Sequence, residues 1–558
     1  MVDSKVSGLH GCEESSSDSH DRLSELPDSL ILEILSLLPM KDVVKTTLLS
    51  KRWKDVWTTV TCLDFSNIPA DANLYKFHRF ICGALALWKG DKILKFSLSL
   101  WRYYNSFASD IYDSWLLLSV AKQVEDLNID VQTYTSEWDF QSMSIEYYVP
   151  QFLHSCSSIK KLSLVSCNLK IDKSVQWNQL KSLTIGGAEP LSDVSLNHIL
   201  SGAPHLEVLD LSFLVSIENV IINIGSTSLK MLKIHTIIDI YDRVYDDAML
   251  RIGAPNLDTL EISGGAFRMC ALDVPSLTTA ILHFRDFYMR LHRMLRHVLL
   301  SILHVQKLTL SYSCVDQTNS IVELEEPLGE IALNHVLSGA PNLEVLNLSL
   351  DNRRDLNIQS TSLKMLKINR SFSARADNTM LRIQAPNLET LEISGLPNRK
   401  CLLNAPSLTN AILVFEHVLL QMKKYREIPY NAKFLKLIYA SAPNKILGVL
   451  EMFPRLTMLV IECDPLKMTL PPSKELDTRK RFGLLQYLKT IEITWPMYDP
   501  SIYHVVEILL RNARMLEKMV FCPLTISSPE SMSLVEEKVR SMPRSSPTAV
   551  LICRNKSL

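Results

Sequence analysis

The chain has 558 residues, of which 47% are hydrophobic and 21% charged, and its 59 Lys plus Arg almost cancel its 60 Asp plus Glu to leave a formal net charge of -1. At ~100–200 residues per domain this length suggests several domains. A near-neutral balance excludes bulk electrostatic attraction to nucleic acid or a membrane surface as the default mode of binding, although local basic patches stay open.

Eleven cysteines are scattered with no CxxC pair and no Cys/His cluster at zinc-ligand spacing, which suits a reducing compartment where cysteine acts as a small apolar filler. The first residues, MVDSKVSGLHGCEESSSDSHD, lack the apolar core of a secretory signal. No apolar run approaches the ~20 residues of a membrane span. The expected location is intracellular, nucleus and/or cytoplasm. Residues 1–19, rich in Ser, Asp and Glu, read as a disordered tail.

A first helical unit comes next. Leu30, Ile31, Ile34, Leu35 and Leu38 recur at helical spacing. Pro27 suits the first turn, Asp28 the positive helix end, and Pro39 stops the helix. A second short helix fits Asp42 to Leu48. Ser50 is a suitable N-cap for a third, in which Trp53, Val56 and Trp57 share a face. So small a unit cannot bury Leu26, Ile31, Leu35, Trp53 and Trp57 by itself. They either pack on the adjoining C-terminal domain or form a partner site.

The string LPDSLILEILSLLPMKDVVKTTLLSKRWKDVW resembles the F-box, with its Leu-Pro start, Leu-Pro break, Lys-Asp turn, Ser-Lys-Arg-Trp and second Trp. The resemblance implies an F-box at 20–66 that presents an apolar patch to a Skp-type adaptor, and through it to a cullin-RING ubiquitin ligase. The adaptor contacts it implies are Leu26, Pro27, Ile31, Ile34, Leu35, Leu38, Pro39, Leu49, Ser50 and Trp53, some of which serve as internal core instead.

From residue 67 to about 479 an LxxLxL register recurs, with clear copies starting at Ile159, Leu180, Leu206, Leu229, Leu257, Leu277, Val305, Leu343, Leu363, Leu388, Leu408, Ala432 and Leu456. Most starts are 20–28 residues apart, in the ~20–29-residue range of leucine-rich repeats. One longer step holds an insertion around Ser311–Ile331. Alternating aliphatics of each short strand point inward and the residues between them outward. Since one repeat cannot bury its own face, the expected fold is α/β: a leucine-rich-repeat solenoid with a curved parallel sheet and outer helices or loops. A block has also been duplicated in tandem, about 196–310 and 333–437: STSLKMLKI stands at both 226–234 and 360–368, and MLRIGAPNLDTLEISG at 249–264 returns as MLRIQAPNLETLEISG at 380–395.

The C-terminal part, 480–558, reads as a strand, a helix with Val505, Val506, Leu509 and Leu510 on one side, and another strand. Its LKTIEI and LLRNARMLEKM stretches resemble the FBD region of plant F-box proteins. It can cap the open end of the solenoid or bind a partner.

No Walker A loop, dinucleotide fingerprint, GxSxG elbow or HExxH is present. No catalytic residue, metal ligand or cofactor is expected. His198 and His335 hold the same place in the duplicated block, as do Cys270 and Cys401, which favours packing roles. The basic, apolar stretch 285–305 reads as an outer helix, and TRKR at 478–481 is a weak import signal. The resemblance implies a non-catalytic adaptor, the substrate-recognition subunit of a Skp/cullin/F-box ligase. The outward strand positions would then hold the target protein, with Asp210, Lys233, Glu261, Asn347, Lys367 and Glu392 among them. A ligase-independent scaffold and a small-molecule receptor using the repeat concavity are the alternatives.

Overall fold

The structure is a computed structural model. It describes residues 26–67, 74–101, 109–132, 147–187, 191–215, 221–238, 249–264, 267, 269–286, 291–314, 337, 339–350, 356–370, 380–394, 400–415, 431–439, 446, 449–450, 453–463, 485–496, 502–524 and 529–554. The expected tail at 1–19, His335, TRKR at 478–481 and most of the insertion lie outside the described residues, as does the side chain of Cys401. The chain divides into two compact units, Met1–Lys170 with Val175–Ala188, and Ile171–Ser174 with Glu189–Leu558.

The first unit opens with α1 (Asp28–Ser36), α2 (Met40–Lys45), a 3-10 turn at Thr46–Leu48, and α3 (Lys51–Val56). Pro27 occupies the N-cap of α1 and Pro39 that of α2, where a missing N–H costs nothing. The second helix starts two residues earlier than its sequence suggested and tightens to 3-10 in its last turn. Ser50 caps α3 as expected, its Oγ accepting from the Trp53 amide at 3.4 Å. Ile31, Leu35, Met40, Val43, Trp53, Trp57 and Val60 are buried together as the unit's core.

Directly afterwards comes β1 (Cys62–Phe65), followed by α4 (Leu74–Leu87), β2 (Lys95–Trp101), α5 (Ser109–Ala121), β3 (Asp126–Gln132), β4 (Lys161–Val165) and β5 (Ser182–Gly187). The five strands pair in sequence order, all parallel. Their alternate residues, such as Phe96, Leu98, Leu127, Ile129, Leu162 and Leu164, are buried. The helical unit is therefore continuous with the sheet. Trp88 Nε1 donates to the Val60 carbonyl at 2.8 Å and Lys89 N to Thr58 at 2.7 Å. Phe65 packs tilted on Phe96 at 6.0 Å and edge-on to Phe80 at 6.1 Å.

The second unit carries α6 (Asp193–Gly202), β6 (Val208–Val215), β7 (Ile221–Gly225), β8 (Met231–Ile238), β9 (Met249–Gly253), β10 (Thr259–Gly264), β11 (Met269–Asp273), β12 (Thr279–Asp286), α7 (Leu291–Ser301) and β13 (Lys307–Cys314). The duplicated block then supplies β14 (Val345–Leu350), β15 (Leu356–Gln359), β16 (Met365–Arg370), β17 (Met380–Gln384), β18 (Thr390–Ser394), β19 (Lys400–Asn404), β20 (Asn410–Phe415) and β21 (Phe434–Tyr439). The chain ends in β22 (Met458–Cys463), β23 (Thr490–Pro496), α8 (Ile502–Asn512), β24 (Lys518–Leu524), α9 (Pro529–Arg540) and β25 (Val550–Cys553).

One parallel ladder runs β6–β8–β10–β12–β13–β14–β16–β18–β20–β21–β22–β23–β24–β25. The LxxLxL aliphatics fill its buried side: Leu209, Leu232, Leu260, Leu308, Leu346, Leu366 and Leu391 are all nearly or wholly inaccessible. Several repeats enter their strands through the same turn. The amide of Leu257, Leu388 or Leu408 donates to the carbonyl three residues back at 3.1 Å, around the Pro that bars a helix. Neighbouring turns are stitched by amide side chains, Asn256 Nδ2 to Thr227 O at 2.8 Å and Asn387 Nδ2 to Thr361 O at 2.7 Å.

The other side of each duplicated block is not only helix and loop. β7–β9–β11 and β15–β17–β19 form two further parallel sheets. A spacer of this length has no room for a long crossover helix, and the MLRI segments satisfy their backbone groups by pairing with neighbours instead. In the C-terminal part Val505, Val506, Leu509 and Leu510 of α8 are buried as their spacing indicated.

Candidate functional surfaces

The helical unit separates its apolar residues into two sets. Ile31, Leu35 and Trp53 are buried by the chain's own packing. They are thus internal core and not part of an open contact face, a division the sequence left open. The buried indole N–H of Trp53 has no hydrogen-bond partner among the described residues. Pro27, Ile34 and Leu49 are exposed, while Leu26, Leu38, Pro39 and Ser50 are half-buried. The hydroxyl of Ser50 is engaged in its cap.

The sequence reading missed the most exposed members of the set. Leu37 is 81% exposed and Leu48 87%, with Leu49 at 55% and Leu30 also open. The signal that could have found them is the excess of leucine in SLILEILSLL and TTLL: one helical stripe can face the core, so the remainder must face out. Leucines this exposed on so small a unit form an open apolar patch. Arg52 Nε donates to Asp28 Oδ1 at 2.9 Å and ties α3 to α1.

Along the ladder of the second unit the outward positions line up in rows. Asp210, Lys233 and Glu261 are in register on β6, β8 and β10, and Asn347, Lys367 and Glu392 on β14, β16 and β18. The sequence reading took these six as outward target-binding positions; the structure sets them in two rows and pairs the two lysines with the two glutamates. Lys233 Nζ lies 3.2 Å from Glu261 and Lys367 Nζ 2.7 Å from Glu392. Asn347 Nδ2 donates to Thr309 Oγ1 at 3.2 Å. The Asp210 carboxyl is pushed above the usual carboxylate range by burial, against the pull of Lys233, with Glu261 adding to the rise.

The same LKMLKI motif also pairs backwards, Lys230 to Glu207 at 3.1 Å and Lys364 to Glu344 at 2.8 Å. Each copy of the motif therefore fastens the repeat before it and the repeat after it. His235 Nδ1 lies 2.7 Å from Ser263 Oγ on the same outward side.

Burial pushes the Cys270 thiol up to about 12, and that of Cys167 likewise, so neither is poised as a thiolate nucleophile. Among the described residues, no group of three or more His, Cys, Asp or Glu side chains is placed to hold a metal ion. Also among the described residues, no helix is long and apolar enough to cross a membrane.

Comparison with known proteins agrees with this geometry. The F-box domain profile matches residues 23–64, and the LRR-repeat profile of FBD-associated F-box protein At5g56370 matches residues 112–278. F-box/LRR-repeat protein At3g26922 of Arabidopsis thaliana is 30% identical over 269 residues, covering 47% of this chain and 82% of that protein. F-box/FBD/LRR-repeat proteins At3g52680 and At5g56420 of the same plant are 31% and 30% identical, covering 38% and 43% of this chain and 45% and 55% of their own length. The chain thus spans about half the length of several curated relatives it matches. The chain belongs to the F-box/LRR-repeat family, with N-terminal F-box helices followed by a parallel-stranded leucine-rich-repeat array.

Proposed function

We propose that this protein is the substrate-recognition subunit of a Skp/cullin/F-box ubiquitin ligase. Its F-box, 20–66, docks a Skp-type adaptor through Pro27, Leu30, Ile34, Leu37, Leu48 and Leu49, with Leu26, Leu38, Pro39 and Ser50 at the margin. The repeats, 67–479, hold a target protein on their outward rows. The FBD-like end, 480–558, closes the array. The complex works in the nucleus and/or cytoplasm. The observation that carries this reading is the set of leucines left open on the F-box, Leu37 and Leu48 foremost, for which burial against a partner is the favourable outcome.

The role is non-catalytic. Bringing a target lysine close to a charged conjugating enzyme raises its effective concentration, and that proximity is the contribution to rate. The direct pairing of β1 with β2 supports this division of labour, because an F-box fused to the first strand of the sheet transmits its orientation without a flexible linker. Co-expression with a Skp-type adaptor tests the reading. A complex that survives size exclusion is expected, and free adaptor beside monomeric chain overturns it.

A further inference from the structure

The two Lys–Glu pairs of the second unit, Lys233–Glu261 and Lys367–Glu392, flank a stretch of the same outward face that is built differently. Between them β12, β13 and β14 run in register. Their outward rows read Thr279, Lys307, Val345, then Ile281, Thr309, Asn347, then His283, Ser311, Ser349. None of these nine residues is acidic. Lys307 is exposed and carries no ion pair among the described residues, and the same face presents the imidazole of His283, four hydroxyls and the Asn347 amide along the three strands.

Three other outward lysines of this ladder are paired. Lys233, Lys367 and Lys436 each meet a glutamate on the next strand, the last at 2.9 Å from Glu462. Lys518, another outward lysine without an ion pair among the described residues, sits diagonally across from Glu492, since Thr490 pairs with Lys518 and Glu492 with Val520. The diagonal neighbours of Lys307 are Ile281 and Asn347. Of these five outward lysines of the ladder, Lys307 is the one with no acidic residue at a paired or diagonal outward position.

The duplication supplies an internal control. In the second copy β20 and β21 take the places of β12 and β13. The same outward positions there are Asn410, Ile412 and Val414 beside Phe434, Lys436 and Ile438. Lys307 has become Phe434, His283 Val414, and Ser311 Ile438, while the buried aliphatics and the flanking LKMLKI and LETLEI frames persist. The strands fold without the cation and the imidazole. The strand fold therefore does not require those groups.

We propose that this face, at the seam between the two copies, receives an acidic, extended peptide segment of the target protein, its anionic side chains falling on Lys307 and His283. The proposal rests on the reading of the repeat face as the target surface. Lys307 and His283 lie four residues apart along neighbouring strands, roughly 13 Å at the strand rise of about 3.3 Å per residue. An extended peptide lying along the strands repeats that distance at side chains four apart. An ammonium and an imidazole N–H make charge-assisted bonds to carboxylate or phosphate oxygens, and the hydroxyls and amide complete the donor set. On either side Lys233 and Lys367 are each already paired with a glutamate and offer no free cation to divert the peptide.

The test uses the full chain co-purified with its adaptor and an array of short peptides in an uncharged Ser/Gly/Thr background. Each peptide bears two Glu at varied separation, with matched Gln and phosphoserine sets. Retention of Glu or phosphoserine peptides over Gln peptides by about tenfold (~1.4 kcal/mol) is expected, strongest at a separation of four. Which anionic set is retained tells carboxylate from phosphate. Lys307→Glu should abolish retention and Lys518→Glu should leave it intact. Equal retention of Gln peptides, no retention of any peptide, or equal loss with both variants overturns the proposal. Adaptor co-purification, read on the same samples, reports on the ligase reading separately.

Discussion

The indole nitrogen of Trp88, just after α4, donates to the carbonyl of Val60, two residues before β1, at 2.8 Å. Trp88 is buried, Lys122 Nζ stands 5.3 Å from its ring centroid, and the same ammonium donates to the Gly90 carbonyl at 3.1 Å. This is the bolt between the F-box helices and the first repeats. Trp88→Phe, which keeps an apolar ring and loses the donor, should cost about 1–3 kcal/mol because a buried carbonyl is left unpaired. Trp88→Ala should cost about 3–5 kcal/mol. Denaturant titration measures both, and hydrogen exchange at Thr58–Val60 should accelerate in each.

Much of this junction was legible in the sequence, and the reasons are physical. Proline at helix starts, a serine cap and leucine periodicity are local rules, so α1 to α3 and every LxxLxL strand could be placed from the residues alone. Three things could not. The division of apolar residues between core and surface turned on how α1 and α3 face one another, so Trp53 and Leu35 could not be told from Leu37 and Leu48. The partners of Lys233 and Lys367 lie on neighbouring strands, and only register brings them together. The back strands β9 and β17 read as spacer because their MLRI pattern is too short to announce pairing.

The Lys233–Glu261 pair, 3.2 Å apart with both side chains partly exposed, fastens register more than it stabilises. Exposed pairs contribute about 0.2–1 kcal/mol. Glu261→Gln should therefore lower stability by no more than about 1 kcal/mol, and a double-mutant cycle with Lys233→Met should give a coupling within that range. Raising the salt concentration should shrink it further.

Asp210 carries a different prediction. Burial raises its carboxyl above the usual range, so the folded state holds this proton more tightly than the unfolded chain does. Its charge therefore works against folding above the raised value, and that penalty fades as pH falls through the raised value towards the ordinary aspartate range. The second copy places Asn347 at the equivalent position. Asp210→Asn should raise the melting temperature at pH 7, and the gain should disappear near pH 4. A gain that grows on acidification contradicts the assignment.

Gly264 ends β10 with φ at +103°, and a Cβ there would overlap the carbonyl oxygen of Thr236 on the paired strand. Gly264→Ala should therefore destabilise the first copy of the block by at least about 1–3 kcal/mol. Thermal unfolding measures the loss. Gly225 and Gly253, with open space around them, serve as controls whose alanine variants should change stability far less.

The central claim, that the open leucines of the F-box are an adaptor-docking face, is tested most directly by calorimetric titration of the full chain with a purified Skp-type adaptor. The wild-type protein should bind one adaptor per chain. Leu48→Asp and Leu37→Asp, at positions 87% and 81% exposed, should each weaken binding by at least about tenfold (~1.4 kcal/mol) while leaving the melting temperature unchanged. Absence of binding by the wild-type chain, or undiminished binding by both variants, would contradict it.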